Sequence, residues 1–219
     1  MIKLSRRLKF VANEIGSVDT FADIGTDHAH LIIYALQKGI AKSAIAVDIS
    51  EKSLQKAQYN VQQANFGNKV SFVCADGLHG LTTVPDVIVI AGIGGNEIVK
   101  ILSEKVIATK YVLVPHQDAR ILREYLVSHG YKLVKDYVVQ DGKYYSIIVA
   151  EPGFCEYNKS MFILGANNPA TEDFVRRVIN RKREIDEVLK TNDTTIDCLK
   201  DEIREEYEEC TKWLLLQKL

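Results

Sequence analysis

The 219-residue sequence predicts an α/β protein with a seven-stranded doubly wound sheet, followed by a helical region at the C-terminus. Three observations lead to this fold class. Short apolar runs typical of strands alternate with helical patterns between residues 20 and 128. Two further strand-like runs flank Asp141 and Gly142, a pair typical of the turn in an antiparallel β-hairpin. Two long charged segments with apolar residues at three-to-four spacing then close the sequence, as amphipathic helices do.

The predicted strands are apolar runs bounded by glycine, proline or polar residues. They cover residues 21–24, 43–48, 70–74, 86–91, 111–114, 132–140 and 144–150. The predicted helices show helical spacing of apolar residues and recognisable ends, with Ser50 as an N-cap and Gly39 and Gly130 as stops. Four of them cover residues 4–15, 29–38, 51–64 and 119–128, and another begins at residue 96. The two charged helices lie within residues 174–189 and 196–214.

Composition restricts the class of protein. At 47% hydrophobic residues the chain can bury one sizeable domain, and its net charge of −1 means that a polyanion must be held by local basic patches. The four cysteines are widely spaced and form no CxxC pair, which indicates reduced thiols in a cytoplasmic protein rather than a disulfide scaffold or a zinc site. We find no signal segment and no apolar run of about 18 residues, so we expect no membrane partner and no metal.

The turn after the first predicted strand is a candidate ligand site. The segment TFADIGTDHAHL passes from strand to helix through Gly25, where the backbone can approach a ligand and the helix start offers N–H groups. One glycine does not satisfy the dinucleotide fingerprint, and Asp23 and Asp27 would repel a diphosphate. The same acids attract a sulfonium or an ammonium group, and S-adenosylmethionine carries both. An ordinary strand-to-helix turn is the alternative interpretation.

Acids follow three successive predicted strands: Asp23, Asp48 and Asp76. Ligands of open α/β sheets bind outside the carboxyl ends of the strands, so we expect these acids to converge on one crevice. Asp48 lies 23 residues after Gly25, close to the spacing at which an acid reaches a ribose hydroxyl pair. Asp76 can accept a hydrogen bond from an adenine amino group, while Leu78 offers an apolar face to the ring. An acid at a strand end could instead cap a helix, but Ser50 is better placed than Asp48 to cap the helix of residues 51–64.

Two clusters of basic residues could bind a polyanion. One cluster is at the N-terminus and contains Lys3, Arg6, Arg7 and Lys9. The other is on the first charged helix and contains Arg176, Arg177, Arg181, Lys182 and Arg183. A charge run is more often a solvated face, and the predicted antiparallel pair of charged helices could serve dimerisation or packing instead.

The motifs together resemble a known family. LSxRL at the N-terminus, DIGTDHAHL, ADGL, IAGIGG, LVPHQ, a hairpin containing YY and a helical end are similar to the bacterial enzymes that methylate N1 of adenine 22 in tRNA. The resemblance implies a Rossmann-like class I methyltransferase domain over residues 1–153, with S-adenosyl-L-methionine as the methyl donor. It also implies a helical, coiled-coil-like domain over residues 154–219 that binds tRNA. Four positions depart from the family's usual residues: His30, Ile32, Ile93 and His116.

The resemblance and the residue patterns together give the predicted site. The predicted cofactor-binding residues are Arg7, Asp23, Gly25, Thr26, Asp27, His28, Asp48, Ile49, Asp76, Gly77, Leu78 and Ala91. The predicted catalytic residues are Asp27, Ala91, Gly92, Gly94, Gly95 and His116. The predicted RNA-binding residues are Lys3, Arg6, Arg7, Arg176, Arg177, Arg181, Lys182 and Arg183.

The residues at the start of the loop after the fourth strand restrict which atom of a base could accept the methyl group. Enzymes that methylate an exocyclic amine place Asn or Asp at the start of the loop after the fourth strand, whereas this chain has Ala91 and Gly92 there. We therefore expect backbone groups to orient a base whose ring nitrogen attacks, after that base has left its stack. Two alternatives are a class I methyltransferase with a protein or small-molecule acceptor, and a nucleotide-binding regulatory module without catalysis. The sequence slightly favours a monomer.

Overall fold

The computed structural model describes residues 2–104, 108–166, 171–190 and 200–217. The strands are β1 (Val18–Ile24), β2 (Ala41–Asp48), β3 (Val70–Cys74), β4 (Val87–Ala91), β5 (Lys110–Val114), β6 (Tyr131–Asp141) and β7 (Lys143–Pro152). The α-helices are α1 (Arg6–Ile15), α2 (His30–Gln37), α3 (Glu51–Gln63), α4 (Gly95–Glu104), α5 (Ala119–Ser128), α6 (Lys159–Leu164), α7 (Glu172–Lys190) and α8 (Lys200–Leu216).

The strands form one seven-stranded sheet in the order β3-β2-β1-β4-β5-β7-β6. The first five strands are parallel, and β7 inserts antiparallel between β5 and β6. The doubly wound sheet with a terminal antiparallel hairpin is thus confirmed. Because β7 runs against β5, the turn at Gly142 lies at the same edge of the sheet as the carboxyl ends of the parallel strands.

Two hydrophobic cores cover the two faces of the sheet, because side chains alternate along each buried strand. On β4, Val87 and Val89 pack into the core that contains α1, α2 and α3. Ile88 and Ile90 of the same strand pack into the core that contains α4 and α5. This alternation fixes the register of the sheet and leaves its carboxyl edge for a ligand.

The C-terminal region packs beyond the hairpin. Val138 of β6 lies in a third core with Phe174 and Val178 of α7 and Cys210 of α8. The antiparallel pairing predicted for the two charged helices is confirmed, since Phe174 contacts Trp213 while Arg181, further along α7, contacts Glu206. The predicted connection near residues 191–195, and the first residues of the second helix from Ile196, lie outside the described residues.

Several element boundaries differ from the sequence prediction, most of them by one or two residues, and one helix was not predicted. Helix α1 begins at Arg6 rather than at residue 4, because the Ser5 side chain caps it by accepting a hydrogen bond from Leu8 N. Helix α4 begins at Gly95, one residue before the predicted start. The six-residue α6 was not predicted, although Asn158 caps it through Met161 N.

No helix in the part of the chain that the structure describes has the length and apolar character needed to cross a membrane. Among those same residues, no cluster of three or more His, Cys, Asp or Glu side chains is arranged to hold a metal ion.

Candidate active site

A cavity of about 350 Å³ opens at the carboxyl ends of β1, β2 and β3. Its volume falls within the usual range of small-molecule sites, at the position where open α/β sheets bind ligands. The lining residues are Ile24, Gly25, Asp48, Ile49, Ala75, Asp76, Gly77, Ile93, Glu97, Lys100 and Ile101. Five of the predicted cofactor-binding residues therefore share one cavity: Gly25, Asp48, Ile49, Asp76 and Gly77.

The Asp48 carboxylate is held at the end of β2. Its Oδ1 accepts a hydrogen bond from Ser50 N at 2.7 Å. Ser50 in turn caps α3, because its hydroxyl accepts from Ser53 N at 3.3 Å. The acid therefore fixes the turn and Ser50 caps the helix, which leaves the carboxylate at the wall of the cavity.

Asp23 is not among the residues that line this cavity, although it directly precedes the lining residue Ile24 on β1. Its exposure is only 9%. Burial, and to a smaller extent the negative charge of Asp48, raise the pKa of the Asp23 carboxyl to about 6. The three strand-end acids thus divide into two at the wall, Asp48 and Asp76, and one buried behind the turn.

The turn at Gly25 is open to a ligand but does not form a phosphate-binding nest. Gly25 has a φ of +82°, and nothing lies within 4 Å of the position that a Cβ would take. The amides of Gly25 and Thr26 both donate to Val47 O, at 2.8 Å and 3.1 Å. Because the sheet uses these two amides, they are not aimed at an anion, which agrees with a cationic ligand.

The next residues of this turn, Asp27 and His28, contact α3. Asp27 lies 3.0 Å from His28 Nε2 and 3.7 Å from Lys56 Nζ, and Asn60 Nδ2 donates to His28 O at 3.1 Å. The rings of His28 and His30 stack, with centroids 5.3 Å apart. Sequence reasoning missed Lys56 and Asn60; their spacing of four residues places them on one face of α3 and could have identified them.

The glycine-rich turn of residues 91–95 and the loop of residues 115–118 are joined by hydrogen bonds, and we call them the paired loops. Gly92 N donates to Val114 O at 3.2 Å, at the base of the second loop. His116 N donates to Ile93 O at 3.0 Å, and Gly95 N donates to Gln117 O at 3.0 Å. These hydrogen bonds join the two loops into one backbone surface. The surface contains five of the predicted catalytic residues: Ala91, Gly92, Gly94, Gly95 and His116.

Helix α4 contributes three cavity residues that sequence reasoning missed. Glu97, Lys100 and Ile101 line the cavity from the first two turns of this helix. Lys100 Nζ lies 4.0 Å from Asp76 Oδ2 on the opposite wall. A signal was available, because Glu97, Lys100 and Ile101 are three and four residues apart and so share one face of the helix.

The remaining predicted cofactor residues are not among those that line the cavity. Leu78 is buried in the core with Ile45 and Val47. Arg7 lies at the hairpin, where its amide donates to Asp141 Oδ2 at 3.0 Å and its guanidinium lies 4.3 Å above the Tyr145 ring. Arg7 thus reaches the carboxyl edge of the sheet without lining the cavity.

The two predicted RNA-binding clusters meet at the outer edge of the sheet. Arg6 Nη1 donates to Gln140 O and to Asp173 Oδ2, each at 2.8 Å, and Asp173 also accepts from Gln140 N at 3.0 Å. Asp173 belongs to the first turn of α7, so the N-termini of α1 and α7 are adjacent. Lys3 and Lys9 are exposed on the α1 side.

Within the α7 cluster, three of the five basic residues contact neighbouring helices, whereas Arg176 forms an ion pair within α7, with Glu172 at 3.7 Å. Arg177 donates to Leu164 O at 2.8 Å, and burial lowers the pKa of its guanidinium to about 10. Arg181 forms two hydrogen bonds to Glu206 of α8, at 3.0 Å and 2.8 Å, and Lys182 Nζ lies 3.1 Å from the Tyr207 hydroxyl. Arg176 and Arg183 are exposed.

Comparisons with known proteins agree with this geometry. The family described as "Methyltransferase domain" matches residues 4–148. The tRNA (adenine(22)-N(1))-methyltransferase of Bacillus subtilis is 35% identical over 158 residues, which span 69% of this chain and 66% of that protein. The chain belongs to the tRNA (adenine-22-N1)-methyltransferase family. The family assignment made from the sequence motifs is therefore confirmed.

Solved structures extend the match to the helical region. The B. subtilis m1A22 tRNA methyltransferase TrmK superimposes with a TM-score of 0.84 at 26% identity, over 97% of this chain and 99% of that chain. Streptococcus pneumoniae Sp1610 in complex with S-adenosyl-L-methionine superimposes with a TM-score of 0.86 at 26% identity, over 96% of this chain and 99% of that chain. Nearly the whole chain therefore superimposes on these structures, so the match covers the helices α6 to α8 as well as the class I methyltransferase fold.

Proposed function

We propose that this chain transfers the methyl group of S-adenosyl-L-methionine to N1 of adenine 22 in tRNA. One observation carries the proposal: the family's DIGTDHAHL, ADGL and IAGIGG motifs meet around one cavity at the carboxyl edge of the sheet. The domain division at residue 153, the cytoplasmic location and the roles of individual residues are part of the same proposal.

The cavity suits the methyl donor in shape and charge. Asp48 and Asp76 lie on its wall together with the apolar side chains of Ile24 and Ile93. We assign Asp48 to the ribose hydroxyls and Asp76 to the adenine amino group, as their strand-end positions suggest. The lining as a whole is acidic, with Asp48, Asp76 and Glu97 against Lys100, and so favours a cationic donor.

The chemistry needs positioning more than acid–base assistance. When bound, S-adenosyl-L-methionine supplies a methyl group on a cationic sulfur. The adenine N1 lone pair forms the new bond to carbon while the carbon–sulfur bond breaks, so the positive charge moves from sulfur to the base. Holding the reacting atoms roughly 3 Å apart and in line can lower the barrier by several kcal/mol.

The paired loops provide the surface that holds the base. Ile93 of these loops lines the cavity, and no Asn or Asp stands at Ala91 or Gly92 to activate an exocyclic amine. Asp27 lies on the opposite turn, where its charge can stabilise the cationic methylated base. We assign Asp27 this electrostatic role and the paired loops the orienting role.

The RNA-binding surface follows the outer edge of the sheet in this proposal. It joins the α1 cluster to the exposed basic residues of α7, because Arg6 and Asp173 connect the two helices. Arg176 and Arg183 are exposed and can reach phosphates, since the ion pair of Arg176 with Glu172 is itself exposed to solvent. Arg177, Arg181 and Lys182 instead contact the helices that neighbour α7. A phosphate contact by those three residues would require the helices to rearrange.

Incubation of the purified protein with labelled S-adenosylmethionine and bulk tRNA tests the proposal. We expect label in tRNA, recovered as 1-methyladenosine, and no label in tRNA whose adenine 22 is replaced by guanine. Label in a protein or a small molecule would instead support another acceptor. Cofactor binding without any transfer would support a regulatory module.

A further inference from the structure

Helix α5 connects the paired loops to the helical region formed by α6, α7 and α8. It begins at Ala119, directly after the second of the paired loops. Asp118, the last residue of that loop, accepts a hydrogen bond from Asn96 Nδ2 at 3.0 Å. The backbone of Gly95 also lies so close to Asp118 O that a Cβ would overlap it. A shift of α5 would therefore move both loops together.

The first turn of α5 is tied to α8 by an ion pair. Arg120 Nη1 lies 2.6 Å from Glu205 Oε2, and Lys159 Nζ of α6 lies 2.5 Å from Glu205 Oε1. Hydrogen bonds from Lys159 and Arg120 lower the pKa of the Glu205 carboxyl. Arg120 also contacts Glu124 at 2.8 Å, within its own helix.

The next turn of α5 is anchored more deeply. Arg123 and Asp136 are each 1% exposed and share two hydrogen bonds, at 2.8 Å and 3.1 Å. Asp136 Oδ2 also accepts from the Tyr157 hydroxyl and from Ala166 N, each at 3.0 Å. This network holds α5 against both the hairpin and the segment that leads into α7.

We propose that Arg120 is a positioning residue for methyl transfer: through Glu205 it sets the paired loops relative to the helices that bind RNA. Only one residue separates Arg120 from Asp118, so the contact with α8 acts almost directly on the loops. The Arg123 network fixes where α5 lies, and the Arg120 contact fixes its N-terminal end. This inference rests on the proposed function, because its readout is transfer to tRNA.

A simpler role for the ion pair is stability, and the geometry separates the two roles. Both partners are partly exposed, at 40% for Arg120 and 24% for Glu205. Pairs of this kind contribute little to folding. Loss of the pair should therefore leave the protein folded, while a displacement of the paired loops by about 1 Å can slow transfer strongly.

The test compares Arg120→Ala and Glu205→Gln with two matched controls. Glu124→Ala removes the partner of Arg120 on its own helix, and Lys159→Ala removes the α6 partner of Glu205. The measured quantity is the single-turnover rate of tRNA methylation at saturating tRNA. Each rate is divided by the concentration of S-adenosylmethionine-binding sites, which calorimetry determines. We expect both test variants to lose about tenfold in the rate with unchanged cofactor affinity, and both controls to keep the wild-type rate.

Charge exchange provides the second measurement. Arg120→Glu together with Glu205→Arg should recover most of the rate that either single change removes. Wild-type rates in Arg120→Ala and Glu205→Gln would overturn the inference, as would equal losses in the controls. A wild-type protein that methylates no tRNA would instead refute the proposed function, so the two failures are distinguishable.

Discussion

The carbonyl oxygen of Asp118 lies against the backbone of Gly95 and occupies the space that a side chain at position 95 would need. Gly94 is different, because a Cβ there would meet the end of the flexible Glu97 side chain. The two glycines of this turn therefore serve different purposes. Gly95 lets the paired loops approach each other, and Gly94 gives room to a carboxylate at the cavity.

Gly95→Ala should separate the paired loops. Overpacking against a backbone oxygen typically destabilises by about 1 to 3 kcal/mol, and the displaced loops should lose most of the methyl transfer rate. Gly94→Ala should keep stability and reduce the rate less, because Glu97 can move aside. Thermal unfolding and tRNA turnover measure both effects, with Gly67→Ala as a control whose new Cβ makes only ordinary contact with Gln62. Equal behaviour of the Gly94 and Gly95 variants would contradict this assignment.

Asp48→Ala should weaken binding of S-adenosylmethionine by about 1.5 to 3 kcal/mol, as expected when hydrogen bonds to a charged group are lost. Asp48 also holds the amide of Ser50, so Asp48→Asn is the matched variant that retains an oxygen acceptor. Calorimetry on both variants separates loss of charge from loss of the turn. Unchanged affinity in both would remove Asp48 from the site.

Asp23 should make stability depend on pH in the acid range. Its carboxyl pKa is raised to about 6 in the folded protein, above that of an unfolded chain, so the folded state binds the proton more tightly. Stability is therefore greatest below the unfolded pKa and falls as pH rises toward 6, by about 3 kcal/mol at most. Asp23→Asn should remove this part of the dependence, which unfolding at a series of pH values between 4 and 8 measures. Parallel curves for wild type and variant would refute it.

Much of the fold could be predicted from local patterns. Strand β3 and helix α5 have the predicted bounds, because an apolar run with clear ends determines each of them. The cavity acids Asp48 and Asp76 were identifiable for the same reason, since the ends of parallel strands meet at one edge. Helix α6 was missed because six residues are too few to show a helical period.

The partners of buried charged side chains were harder to predict from the sequence than the strands and helices. Arg123 in an amphipathic helix would normally be solvated, and its partner Asp136 lies on a different element. The partners of Arg181 and Lys182 are Glu206 and Tyr207, on another helix. A basic run in the sequence does not reveal which of its residues face a neighbouring helix, because that depends on how the two helices pack.

The exposed basic residues of α7 give the last prediction. Each phosphate contact releases counterions, so losing one should reduce the slope of log K against log salt by somewhat less than one unit. Arg176→Ala together with Arg183→Ala should therefore reduce the slope for tRNA by about 1.5 units, measured by titration at several salt concentrations. Lys182→Ala is the matched control from the same helix, since its ammonium contacts Tyr207 and should leave the slope unchanged. Cofactor affinity reports folding in all variants. If Lys182→Ala lowers the slope while the double variant does not, the phosphates contact the side of α7 that faces α8, and the helices must separate when tRNA binds.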